Sequence, residues 1–139
     1  MKLRNKDKLY IYYRDNKRCF YCGKTLLFKQ STLDHYYPKS LGGRGEIFNL
    51  VNCCKKCNEE KGNELPEDWQ EKILSLFLKA VQHEKIRGQN IHMDSKMLKE
   101  ALMEVDRIEE IKPIFAFQSK KHRFYIKNGY VIKVVYLNV

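Results

Sequence analysis

Two pairs of cysteines, Cys19-x-x-Cys22 and Cys54-x-x-Cys57, constrain this chain more than any other feature. Each pair has the knuckle spacing that puts two thiolates on one metal ion, and two such pairs complete a tetrahedral site. Four sulfur donors in that geometry favour zinc, with iron second. A site closed by four protein ligands has no open position, so the implied zinc is structural and performs no chemistry. It would tie the start of a module to its end and present the intervening segment on a rigid loop. The competing reading is a pair of buried or redox-active knuckles. Cys53 could replace Cys54 only by leaving a three-residue gap before Cys57; the spacing favours Cys54 as ligand and Cys53 as a small buried thiol.

Five cysteines, an odd count, argue against a disulfide framework. The opening stretch "MKLRNKDKLYIYYRDNKR" carries charge but no apolar h-region, so it does not read as a secretory signal. No hydrophobic run is long enough to cross a bilayer. The expected location is the cytoplasm, with thiols reduced. The 139 residues suit one domain, or one domain with a smaller appendage, and 43% hydrophobic with 32% charged is a globular composition. Lys and Arg number 27 against 17 Asp and Glu, a net charge of +10. The excess is uneven: 14 against 7 in residues 1–65, 13 against 10 in residues 66–139. Such a balance favours a polyanionic partner, nucleic acid before anionic membrane, on the front half. The plainer reading of the charge is solubility.

Hydrophobic spacing and turn residues predict the elements. "NKDKLYIYYRDNKRC" predicts a short amphipathic helix ending near Asn16. "CFYCGKTLLFKQSTLDHYY" is β-rich, with a turn at Gly23, and "PKSLGGRGEIFN" is a glycine-rich loop with few packing residues. "NLVNCCKKCNEEKG" reads as a short helix stopped by Gly62, with Asn49 fitting its N-cap. Beyond Pro66 come two helices. The first runs from Pro66 to Gly88 around Trp69, Ile73, Leu76, Phe77, Ala80 and Val81. The second opens on Asp94 and repeats apolar residues at Leu98, Ala101, Leu102, Val105 and Ile108. The tail is strand-like, and Asn128-Gly129 between apolar runs signals a hairpin. His83, His92 and His122 lack metal-ligand spacing and read as surface or structural residues.

Between the knuckles lie Asp34-His35, Gly42-Gly43 and Asn49, and Asn58 follows the last cysteine. The order Cys-x-x-Cys, Asp-His-x-x-Pro, Gly-Gly, Asn-Leu, Cys-x-x-Cys-Asn, then Lys61, resembles the zinc-knuckle branch of the HNH nuclease family from about Arg18 to Gly62. The resemblance implies an α+β chain with a ββα-metal core stapled by a four-cysteine zinc site, followed by two helices and a C-terminal β-hairpin. Residues 1–65 would be the nuclease module and residues 66–139 an extension with no assigned role.

The resemblance also implies roles. His35 would be the general base, Asp34 and Asn58 ligands of a catalytic divalent cation, and Asn49 a loop anchor that orients His35 through hydrogen bonding. The signature reads His-Asn-Asn, and without a final imidazole Mg2+ or Mn2+ is expected rather than catalytic zinc. Chemistry agrees with this division. Phosphodiester hydrolysis needs an activated water, charge neutralisation at the phosphoryl oxygens and help for the leaving alkoxide. Adjacent strand residues face opposite sides, so Asp34 and His35 can serve metal and water separately. Taken as isolated residues, His35 would be a structural histidine, and Asp34 and Asn58 loop and cap residues.

Lys39, Arg44, Lys55, Lys56 and Lys61 are candidate phosphate contacts, although each equally suits a solvated face. Tyr36 and Tyr37 are candidates for base stacking, one of them belonging to the core. The function implied is a metal-dependent HNH endonuclease nicking DNA once per active site, with 5′-phosphate and 3′-hydroxyl products; a double-strand break would need a homodimer or two encounters. RNA stays open as substrate. The alternatives are a non-catalytic zinc-knuckle nucleic-acid-binding module and a zinc-stabilised protein-interaction domain.

Overall fold

The computed structural model describes residues 5–137, a mixed α+β chain. It divides into two compact units, one running to Glu67 and the other beginning at Asp68.

The first unit opens with helix α1 (Asn5–Arg14), which buries Ile11 and Tyr12. An isolated bridge between Arg18 and Thr25 closes the first knuckle around the turn at Gly23. Strands β1 (Thr32–His35) and β2 (Leu50–Cys53) then pair antiparallel, Thr32 opposite Cys53 and His35 opposite Leu50. Helix α2 (Lys55–Lys61) follows at once. The expected helix from Asn49 is therefore corrected. "LVNC" is buried throughout and pairs as a strand, because a short apolar run obtains its backbone partners from β1 rather than from itself. Asn49 caps nothing; Cys54 is the N-cap, its sulfur accepting from the Cys57 N–H at 3.4 Å.

A buried arginine joins α1 to this hairpin. The Arg14 side chain is 1% exposed and pairs with Asp15 at 2.9 Å. It also donates to the carbonyls of Ile47 and Leu50, both at 2.7 Å. Asp15 Oδ2 in turn accepts from the Asn52 N–H at 2.8 Å. Hydrogen bonds to charged groups contribute roughly 1.5–3 kcal/mol each, so α1 is bound to the strand that follows the loop.

In the second unit, α3 (Trp69–Gln82) and α4 (Ser95–Met103) accompany a five-stranded sheet. Its strands are β3 (Arg87–Gly88), β4 (Arg107–Glu110), β5 (Phe115–Gln118), β6 (His122–Lys127) and β7 (Tyr130–Tyr136), in the order β3-β7-β6-β5-β4. Only β3 with β7 is parallel among the described pairings. The hairpin at Asn128-Gly129 is present, with positive φ at both residues (54° and 79°) as a type I′ turn requires. It is the middle of a sheet rather than a free hairpin. Ile108, expected on the second helix, lies in β4, and Gly88, expected to end the first, lies in β3. Phe77 stacks on Phe117 at 3.8 Å between centroids, and Phe115, Phe124, Ile126 and Val131 complete the buried layer. Each such side chain contributes about 1.5–3 kcal/mol by leaving water. No described helix is long and apolar enough to cross a membrane.

Candidate active site

The four knuckle cysteines converge. The sulfurs of Cys19, Cys22, Cys54 and Cys57 all lie within 4.8 Å of one another, and those of Cys22 and Cys54 are 4.0 Å apart. Tetrahedral zinc with 2.3 Å bonds needs sulfurs about 3.8 Å apart, so the donor set fits that ion. Cys53 stays outside the cluster, wholly buried, its thiol donating to the Cys54 carbonyl at 3.2 Å. Burial pushes the Cys53 thiol up, away from the thiolate a ligand needs. Burial also opposes ionisation of Cys19, but hydrogen bonds from the backbone of Cys22, Cys54 and Tyr21 outweigh it and bring that thiol down to about 6. Cys57 is pushed up to about 12 by its contact with the Cys54 thiol and by burial; such protons leave when a metal enters.

Strand β1 carries the Asp-His pair. Asp34 is buried, and its Oδ2 accepts from the Tyr21 hydroxyl at 2.5 Å and lies 3.2 Å from Lys61 Nζ. Burial, then the bond to Asp34, pushes the Tyr21 phenol up, so it stays a donor. Lys61 Nζ also donates to the His35 carbonyl at 3.1 Å. The Lys61 side chain, a candidate phosphate contact, is 8% exposed and paired with Asp34. From α2, Asn58 Nδ2 donates to Thr32 Oγ1 at 3.0 Å. Thr32 and Asp34 are two apart on one strand and share a face, so Asn58 and Lys61 both reach the Asp34 side. His35 faces the other way, half-buried, close to Gly45. Burial is the largest influence on its imidazole and Lys39 and Lys61 act in the same sense; against Asp34 they hold its pKa below the usual 6.5.

The loop from Pro38 to Phe48 is pinned. Asn49, fully buried, accepts from the Tyr37 N–H at 2.8 Å and donates to the carbonyls of Tyr37 and Arg44 at 3.2 and 2.9 Å. These bonds hold the loop backbone; none of them reaches the imidazole, so any effect on His35 passes through the main chain. The Asn49 carbonyl accepts from the Tyr36 N–H at 2.8 Å, next to His35. Gly43 is required by space: a Cβ there would lie 1.8 Å from the Tyr37 carbonyl oxygen. The loop also buries Glu46, Ile47 and Phe48, so it packs more than its glycines suggested. Tyr36 belongs to the core, 4% exposed, and Tyr37 is half-buried. Lys39, Lys55 and Lys56 are exposed, and Arg44 is half-buried. His83, His92 and His122 all belong to the second unit, and none of them is a member of the cysteine cluster.

Sequence reasoning missed Tyr21, Thr32 and the Arg14–Asp15 pair. Tyr21 had one signal, its place inside a cysteine knuckle; the others had none, because their partners are distant in sequence.

Residues 19–74 match the family described as HNH endonuclease. The chain is 41% identical over 51 residues to CRISPR-associated endonuclease Cas9 of Corynebacterium diphtheriae. It is 36% identical over 55 residues to the protein of that name from Actinomyces naeslundii. These alignments cover 36% and 39% of this chain but only 5% of each relative. The crystal structure of the Type II-C Cas9 enzyme from Actinomyces naeslundii aligns over 59% of this chain and 9% of its own, at 25% identity and a TM-score of 0.42. The matched residues take in both cysteine pairs, Asp34, His35, Asn49 and Asn58, so it is the segment 19–74 that is similar to the HNH endonuclease family.

Proposed function

We propose that this protein is a metal-dependent endonuclease that hydrolyses DNA phosphodiester bonds, with its active site in the unit ending at Glu67. One observation carries the reading: Asp34 and His35 occupy opposite faces of β1, with Asn58 reaching the Asp34 face from α2.

His35, kept neutral at pH 7 by burial, takes the proton of the attacking water. Such a general base typically contributes about 10²–10⁴-fold. Asp34 and Asn58 would hold a divalent cation, and a carboxylate with an amide suits Mg2+ or Mn2+ while leaving positions for water and substrate. Bound there, that ion supplies charge neutralisation at the phosphoryl oxygens and at the departing oxygen. Asn49 keeps the loop closed beside His35, and Lys39, Arg44, Lys55 and Lys56 would meet phosphates. The cysteine cluster would hold a structural zinc. The products would carry 5′-phosphate and 3′-hydroxyl ends, and one copy of the site would nick one strand.

The test is cleavage of supercoiled plasmid with Mg2+, with Mn2+ and with EDTA, beside His35→Ala and a single-stranded RNA of matched length. Metal-dependent conversion to the nicked circle that vanishes in His35→Ala supports the reading. Zinc-loaded protein that binds DNA and leaves it intact would overturn it in favour of a non-catalytic binding module.

A further inference from the structure

We propose that Tyr21 is a positioning residue that couples the four-cysteine cluster to the carboxylate of Asp34. Tyr21 lies between Cys19 and Cys22 and takes part in both places at once. Its main chain is part of the Cys19-x-x-Cys22 knuckle itself, and its hydroxyl donates to Asp34 Oδ2 at 2.5 Å. The ring has no freedom to wander: it stacks on Tyr36 with centroids 5.9 Å apart and planes 10° from parallel, and meets the edge of Phe20 at 6.1 Å. Packing alone would accept a phenylalanine here. The hydroxyl is the one part of the side chain that the aromatic cluster does not use, and it is directed at Asp34.

The consequence is a carboxylate with a fixed orientation. Tyr21 and Lys61 both engage Oδ2, which leaves Oδ1 as the oxygen to face a cation. A cysteine cluster that sets the knuckle backbone thereby also sets this oxygen, 13 residues further along the chain. The inference rests on the reading of Asp34 as a cation ligand. Partners that orient a ligating carboxylate typically change metal affinity by about 10–100-fold when removed.

The test is Mn2+ binding, followed by the free-ion electron paramagnetic resonance signal, on the zinc-loaded chain with zinc content measured in parallel. Tyr21→Phe is expected to retain full zinc and the wild-type circular dichroism spectrum while binding Mn2+ about tenfold more weakly. Phe20→Leu, which loosens the same aromatic cluster but keeps the hydroxyl, is expected to melt at a lower temperature with near-native Mn2+ affinity. Wild-type affinity in Tyr21→Phe, or equal weakening in both variants, would overturn the positioning role. Asp34→Asn separates the two levels. Lost Mn2+ binding there with a silent Tyr21→Phe defeats this inference alone, whereas unchanged binding in Asp34→Asn defeats the ligand role of Asp34 and this inference with it.

Discussion

The base role proposed for His35 depends on where its imidazole is kept. Burial and the neighbouring lysines favour the uncharged ring and Asp34 opposes them, with the net shift downward. Only the neutral ring accepts a proton, so a lowered pKa moves the acid limb of the rate profile to lower pH. We expect kcat/KM for plasmid nicking to stay flat through pH 7 and to decline only below about 6.5. His35→Ala should abolish that limb and cost about 10²–10⁴-fold in rate with Mn2+ binding intact. A limb centred above 6.5 would rule out this assignment. Asn49→Ala should remove the three side-chain hydrogen bonds that pin the loop, at about 0.5–1.5 kcal/mol each. Thermal melting would register that loss. Asp34 and His35 were legible in the sequence because they are neighbours bracketed by cysteines. Tyr21 and Lys61 gave no comparable sign of their contact with Asp34, since the chain must turn back twice before they meet it.

At the level of elements, α2 is the instructive case. Its seven residues are too few to hold together as an isolated helix. It is held by the Cys54 cap and by Cys57, and through them by whatever metal the cluster binds. Removing zinc with a strong chelator, or making Cys54→Ser, should therefore release α2 and carry Asn58 and Lys61 away from β1. Apparent zinc-binding free energies of about 10–16 kcal/mol in small zinc domains exceed what a unit this size gains from its core. The readout is loss of circular dichroism signal together with loss of Mn2+ binding. The turn at Asn128-Gly129 and the cap at Asp94 were readable because each depends on residues only a few positions apart. Strands β3 and β4 were not, because "RG" and "RIEE" carry no period of their own and become strands only by pairing with β7 and β5.

For the whole molecule, the surplus of positive charge should appear as salt dependence. Each phosphate neutralised lowers the slope of log K against log salt by about 0.9 on duplex DNA. The double variant Lys55→Glu, Lys56→Glu should weaken binding to every sequence alike and flatten that slope by about two contacts. An unchanged slope would make those lysines merely solvated. The front-loaded charge was legible by counting, whereas the strand order of the second unit was not, being decided by pairings between distant segments. The order of parts along the chain has one more consequence, in time. Asp34 and His35 leave the ribosome well before Cys54, Cys57, Asn58 and Lys61. A nascent or stalled chain thus displays the proposed base and carboxylate without the helix that completes their surroundings, and under the proposed function a half-made copy is unarmed.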